Sequence, residues 1–124
     1  PQEISEKVIT EGLVKLGLLD GDPEELHKSG AYKEFYMHKI GHWLGLDVHD
    51  AGDYVEGEEY MTFKPGMITT IEPGIYISNS MDIDDKWKGI GIRIEDDILV
   101  TKDGNENLTK KVPSDPEEIE SLMS

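Results

Sequence analysis

The run MITTIEPGIYI, residues 67–77, constrains the fold more than any other stretch of the chain. Its β-branched residues predict a strand, and Pro73 and Gly74 predict an interruption within it. Glu72 is the only charged residue of the run and directly precedes the interruption. A carboxylate in an apolar strand is costly to bury unless it is paired or bound to a metal. The run therefore predicts an acidic site in a sheet, and a plain ion pair to a lysine or arginine is the alternative.

A second strand is predicted at residues 90–101, IGIRIEDDILVT. Its alternation divides the side chains into two faces: Ile90, Ile92, Ile94, Ile98 and Val100 against Gly91, Arg93, Glu95 and Asp97. Arg93 and Glu95 therefore share a face, where they form either an ion pair or a metal ligand tuned by the arginine. Asp96 falls on the isoleucine face, and the alternation does not explain it.

Apolar spacing, capping residues and turn residues elsewhere in the chain predict helices and a hairpin. Residues 4–16 have apolar residues at helical spacing, and Gly17 suits the position after the helix. Asp22 before Pro23, and Asp115 before Pro116, each predict a capped helix start. The sequence KDGN, residues 102–105, predicts a hairpin turn. The mixture indicates an α+β fold with an antiparallel component, in one domain over residues 1–124.

Composition excludes several classes of function. The chain has 27 acidic and 12 basic residues and a net charge of −15, which disfavours binding to nucleic acid or to an anionic membrane. It has no cysteine, so a metal would be held by His, Asp and Glu. No stretch is long and apolar enough for a membrane span. We expect a soluble, cytoplasmic protein.

Three of the four histidines lie in MHKIGHWLGLDVHD, residues 37–50. His38 and His42 are four apart, which places both on one face of a helix or of a strand. His49 is followed by Asp50, a possible acceptor for its ring N–H. These histidines are either metal and catalytic groups or partly buried rings satisfied by hydrogen bonds. His27 lies in a predicted surface helix and receives no role.

Gly41 and Gly45 flank His42, and glycine lets another backbone or a ligand approach closely. One histidine together with Glu72 and Glu95 makes a nitrogen and oxygen ligand set that suits Mn, Zn, Fe or Co. Two such metals about 3.5–4 Å apart would activate a water for amide hydrolysis.

Three motifs carry a resemblance to a known family: HKIGHWLGLDVHD, PGMITTIEPGIYI and GIGIRIEDD. They resemble the C-terminal half of the catalytic domain in the aminopeptidase P (Xaa-Pro aminopeptidase) group. The resemblance covers nearly the whole chain. It implies half of a pita-bread fold, with a mixed, mainly antiparallel sheet and flanking helices.

The resemblance also implies roles for individual residues and a cofactor. His42 and Glu72 would ligate one metal, Glu95 would bridge two, and Glu72 would also orient or deprotonate the attacking water. His38 and His49 would hydrogen-bond the scissile amide. Arg93 would hold an acidic ligand, and Tyr76 would line the site. The cofactor would be two divalent ions, Mn²⁺ by preference and Zn²⁺ or Co²⁺ as alternatives, and the substrate a peptide with proline second.

The family's metal centre has five protein ligands, and two are aspartates on strands upstream of this region. Asp20 and Asp22 lie in a predicted turn and do not match them. We therefore expect a fragment that is inactive alone and whose uncovered sheet edge makes it a homo-oligomer. The alternatives are a prolidase-like dipeptidase, a methionine aminopeptidase, or a non-catalytic pita-bread module that binds peptides. Retention of His42, Glu72 and Glu95 favours an enzyme.

Overall fold

The computed structural model describes residues 1–124, which form two compact units. The first unit comprises Pro1–Ile40 and Pro73–Arg93, and the second comprises Gly41–Glu72 and Ile94–Ser124. Helices and antiparallel ladders are both present, so the predicted α+β class is correct. None of the helices is long and apolar enough to cross a membrane.

The regular elements are short. The helices are α1 (Gln2–Lys15), α2 (Pro23–Ser29) and α3 (Pro116–Met123), with 3₁₀ turns at Ala31–Glu34 and Asp85–Trp87. The strands are β1 (Val55–Glu56), β2 (Glu59–Tyr60), β3 (Ile68–Ile71), β4 (Gly74–Tyr76), β5 (Gly91–Arg93), β6 (Asp96–Val100) and β7 (Asn105–Asn107).

The predicted helix starts are confirmed. The Asp22 carboxylate accepts hydrogen bonds from two backbone N–H groups of α2, and Asp115 does the same for α3. These side chains satisfy donors that have no partner within a helix. Gly17 has a φ of +72° directly after α1, a conformation that favours glycine.

The first unit holds the buried apolar core of the chain. Its members come from α1, the 3₁₀ turn and β4 with their adjoining loops: Ile9, Leu13, Leu18, Tyr32, Phe35, Tyr36 and Ile77. In this unit β4 pairs with β5. In the second unit, by contrast, the buried residues are polar: Thr69, Thr70 and Glu72.

His27, which the sequence left without a role, is partly buried and joins α2 to α1. Its Nε2 lies 3.3 Å from Glu6 Oε2, and its ring stacks on Tyr32 at a centroid distance of 5.7 Å. Burial raises the pKa of Tyr32 to about 12, and its hydrogen bond to Glu6 adds to the shift. Burial acts to raise the pKa of Glu6 as well, but hydrogen bonds from Gln2, Tyr32 and His27 outweigh it and lower that pKa.

The second unit contains a three-stranded antiparallel sheet in the order β3-β6-β7 and the two-stranded hairpin of β1 and β2. The predicted interruption of the first strand is present, because β3 ends at Ile71 and β4 begins at Gly74. The predicted turn at residues 102–105 connects β6 to β7.

The prediction of one continuous strand over residues 90–101 is wrong. The chain forms β5 and β6, which are separated by Ile94 and Glu95. Ile92 and Ile94 are 58% and 51% exposed, so the isoleucines do not form one buried face. The cause lies in the partner of β6, since β3 stops before Pro73 and proline has no N–H to extend a ladder.

Asp96 faces a polar partner, which accounts for its place among isoleucines. The Thr109 hydroxyl donates to Asp96 Oδ1 at 2.8 Å and accepts from the backbone N–H of Asp97 at 3.1 Å. The side-chain oxygen Oδ1 of Asn107 on β7 accepts a hydrogen bond from the backbone N–H of Thr109 at 2.9 Å. These bonds fasten the segment after β7 to the start of β6.

Candidate metal centre

The histidine segment is neither helix nor strand from Met37 to His42. His38 and His42 lie on neither a helix nor a strand, so the prediction that they share one face of such an element is wrong. His38 belongs to the first unit, whereas His42 and His49 belong to the second.

The His42 backbone is bound to β3. Its N–H donates to Thr70 Oγ1 at 2.9 Å, and its carbonyl oxygen accepts from the Thr70 N–H at 2.9 Å. The approach depends on Gly41, because a Cβ there would lie 1.9 Å from the Thr70 carbonyl oxygen. The close approach that the flanking glycines predicted is therefore real at Gly41.

The His42 ring is oriented by its neighbour. Its Nδ1 lies 3.0 Å from the carbonyl oxygen of Trp43. A carbonyl only accepts, so we assign the proton of the neutral ring to Nδ1. The lone pair is then on Nε2, which lies 3.4 Å from Glu72 Oε1. An imidazole fixed by a carbonyl in this way is a typical arrangement for a metal ligand.

Glu72 and Glu95 lie one position beyond the end of the β3-β6 ladder. The last pair is Ile71 with Asp96, and the same register continued by one position would set Glu72 across from Glu95. Side chains at directly opposed positions lie on the same face, with Cβ atoms about 4.5–5.5 Å apart. Glu72 is 7% exposed, whereas Glu95 is exposed.

The ligand atoms of His42, Glu72 and Glu95 all lie within 4.8 Å of one another. Two carboxylates that face each other repel, and one of them is buried, so a cation between them would be stabilised. One imidazole nitrogen and two carboxylate oxygens suit a hard or borderline divalent ion. The residues therefore fit a divalent metal.

His49 lies beside this group. Its ring packs edge-on against the His42 ring at a centroid distance of 4.3 Å, and the residue is exposed. It is thus available to a ligand that approaches from solvent, and it limits the movement of the His42 ring.

The first unit contains a separate polar chain. Arg93 Nε donates to the Tyr76 hydroxyl at 2.7 Å, and that hydroxyl lies 3.2 Å from His38 Nε2. His38 Nδ1 is 2.7 Å from the Lys39 carbonyl oxygen, which assigns its proton to Nδ1 and makes Nε2 the acceptor for Tyr76. The side chains of His38, Tyr76 and Arg93, which the resemblance grouped, are therefore joined.

Sequence reasoning missed Thr70. It is 1% exposed, and its hydroxyl donates to Glu72 Oε1 at 2.9 Å. The available signal was the spacing of two from Glu72, which places both side chains on one face of a strand.

Comparison with known proteins decides the family. The sequence model of metallopeptidase family M24 matches residues 2–102. The chain belongs to this family. Membership in a metallopeptidase family implies divalent metal ions as cofactor, in agreement with the ligand set of the second unit.

The chain is similar to several proteins named Xaa-Pro aminopeptidase. The chain is 51% identical to the Xaa-Pro aminopeptidase of Escherichia coli K12 over 94% of its length, and 50% identical to that of Haemophilus influenzae over 95%. It covers 26% and 27% of those proteins. It superposes on a Pseudomonas aeruginosa aminopeptidase with a TM-score of 0.94 and 55% identity, covering 98% of this chain and 28% of that one. The predicted pita-bread fold class is confirmed.

Proposed function

We propose that this chain is part of a Xaa-Pro aminopeptidase, which releases the N-terminal residue from peptides whose second residue is proline. The observation that carries the proposal is the convergence of His42, Glu72 and Glu95 in a chain that belongs to a metallopeptidase family. The names of the relatives support the substrate class. In this proposal residues 1–124 are the C-terminal half of the catalytic domain.

His42, Glu72 and Glu95 would hold the divalent ions, and Glu95 would serve as a ligand shared between them. Bound divalent ions would acidify a water and polarise the scissile carbonyl. Glu72 would orient the attacking water and accept its proton as the water oxygen bonds to the carbonyl carbon. As the C–N bond breaks, the proton held by Glu72 would pass to the proline nitrogen. Mn²⁺ is the proposed metal, with Zn²⁺ and Co²⁺ as alternatives.

His38 and His49 are proposed to hydrogen-bond the scissile amide and its developing charge. Both ring nitrogens of His38 have partners, so its contact with substrate requires the Tyr76 hydroxyl to give way. The exposed ring of His49 needs no such rearrangement. Arg93 is proposed to hold an acidic ligand in place. A cytoplasmic location stays a prediction.

The test uses the full polypeptide that carries this chain, loaded with Mn²⁺, and a tripeptide X-Pro-Y. We expect release of X, and a loss of at least about 100-fold in kcat for Glu72→Gln, since this removes a ligand and the proposed base. Glu59→Gln, an exposed acid on β2, is the matched control and should leave the rate unchanged. Absence of turnover by the wild type refutes the enzyme and favours a peptide-binding module.

Two further measurements refine the assignment. Cleavage of X-Pro-Y but not of the dipeptide X-Pro separates an aminopeptidase from a prolidase-like dipeptidase. The 124-residue chain by itself supplies three of the five ligands that the resemblance implies, so we expect weak metal binding and little turnover. Robust hydrolysis by this chain alone with added Mn²⁺ contradicts the proposal of an incomplete centre.

A further inference from the structure

We propose that Thr70 is a positioning residue of the metal centre, whose hydroxyl sets His42 and Glu72 at the separation that a shared ion needs. The inference rests on the proposed function for the identity of the ligands. It adds a residue that holds two of them together without itself reaching the ion.

The Thr70 hydroxyl accepts one hydrogen bond and donates another. The His42 backbone N–H donates to Thr70 Oγ1, and Thr70 Oγ1 donates to Glu72 Oε1, each at 2.9 Å. A hydroxyl has one proton and two lone pairs, so it can serve both partners at once. Glu72 Oε1, the atom that accepts this proton, is also the atom that faces His42 Nε2 at 3.4 Å.

Because the Thr70 hydroxyl is buried, water cannot readily replace it as a hydrogen-bond partner. Thr70 is 1% exposed and Glu72 is 7% exposed, so solvent has little access to take over either bond. Gly41 packs against the Thr70 backbone. A Cβ on residue 41 would lie 2.9 Å from Thr70 Oγ1 and 1.9 Å from the Thr70 carbonyl oxygen. Valine has the shape of threonine but neither donates nor accepts at this position, whereas serine retains the hydroxyl.

Hydrogen bonds that orient metal ligands typically change metal affinity by about 10–100-fold when they are removed. We therefore expect Thr70→Val to weaken Mn²⁺ binding by at least about 10-fold, and Thr70→Ser to remain within about twofold of the wild type. Thr10→Val is the matched control. Thr10 is equally buried, and its hydroxyl donates only to the Glu6 carbonyl oxygen of α1.

The experiment measures Mn²⁺ dissociation constants by titration calorimetry for the full polypeptide that carries this chain, as the wild type and as the Thr70→Val, Thr70→Ser and Thr10→Val variants. NMR on the metal-free proteins supplies a second readout, namely hydrogen exchange of the His42 amide and the carboxyl ¹³C shift of Glu72. Thr70→Val should accelerate exchange of that amide and move the Glu72 signal, whereas Thr10→Val should do neither. The two NMR signals show that the hydrogen bonds are lost, and the Mn²⁺ dissociation constant separates the roles, because a merely structural role would leave Mn²⁺ binding unchanged.

The outcomes separate this inference from the proposed function. If Thr70→Val binds Mn²⁺ as tightly as the wild type, the positioning role is refuted even though the metal site stands. If the wild type binds no Mn²⁺, the metal site of this chain fails, and the NMR signals decide the role of Thr70. Unchanged His42 and Glu72 signals in Thr70→Val would then overturn it.

Discussion

Gly41→Ala tests the packing that holds the His42 backbone against β3. A Cβ at this position would lie 1.9 Å from the Thr70 carbonyl oxygen, about 1.5 Å inside the 3.4 Å at which ordinary contact begins. The obstructing atom belongs to the backbone of a paired strand, so it cannot turn aside as a flexible side chain would. The segment carrying His42 must therefore move away from β3.

The energetic cost follows from the bonds that this movement breaks. Three hydrogen bonds join His42 to Thr69 and Thr70, at 2.9, 2.9 and 3.0 Å. A displacement of about 1.5 Å takes all three beyond hydrogen-bonding distance. At about 0.5–1.5 kcal/mol net for each of the three bonds, the predicted loss of stability is about 1.5–4.5 kcal/mol.

Urea unfolding of the wild type and the variant at one protein concentration measures this loss. Gly12→Ala is the control, because nothing lies within 4 Å of its new Cβ in the interior of α1. That substitution should stabilise the chain by about 0.5–1 kcal/mol, since alanine is the better helix former. An unfolding midpoint of Gly41→Ala equal to that of the wild type would show that the His42 segment tolerates a side chain at position 41.

Two further predictions concern pH and self-association. Burial raises the pKa of Tyr32 from 10.0 to about 12. The un-ionised Tyr32 therefore contributes its full stability to the folded state below pH 10. This contribution is lost as the pH rises towards 12, which lowers the free energy of unfolding by at most about 3 kcal/mol. Tyr32→Phe should remove this decline in urea midpoints measured from pH 9 to 11.5, whereas Tyr60→Phe, at an 84% exposed residue, should retain it. The exposed apolar side chains of Leu46 and Val48 and the free edge at β7 lead us to expect an oligomer. A monomeric mass by light scattering up to millimolar concentration contradicts that expectation.

Local chemistry made much of the fold predictable. Asp22 and Asp115 cap helices because their carboxylates lie next to unpaired N–H groups, and this geometry depends on only a few neighbouring residues. Pro73 interrupts its strand for an equally local reason, since it has no N–H to donate. The close approach at Gly41 also follows from the absence of a side chain.

Features that depend on distant partners were not predictable from one sequence. The alternation of residues 90–101 runs through Ile94 and Glu95 without a break, and the interruption there reflects where the partner strand ends. His27 has polar neighbours in sequence, but its ring packs on residues of α1 and the 3₁₀ turn. The link from Thr70 to His42 spans 28 positions, and only the folded chain brings these two residues together.

The Glu72 and Glu95 carboxylates lie just beyond the β3-β6 ladder, and metal binding there, as proposed above, would make folding depend on cation concentration. Without a cation, two carboxylates lie one position beyond the last pair of the ladder, Ile71 with Asp96, and their repulsion weakens this end of the sheet. A bound divalent ion turns these two carboxylates into a cross-link between two strands. The stability of the second unit then rises with the logarithm of the free metal concentration above its dissociation constant, by about 1.4 kcal/mol for each tenfold increase. A chelator would act on this chain as a mild denaturant.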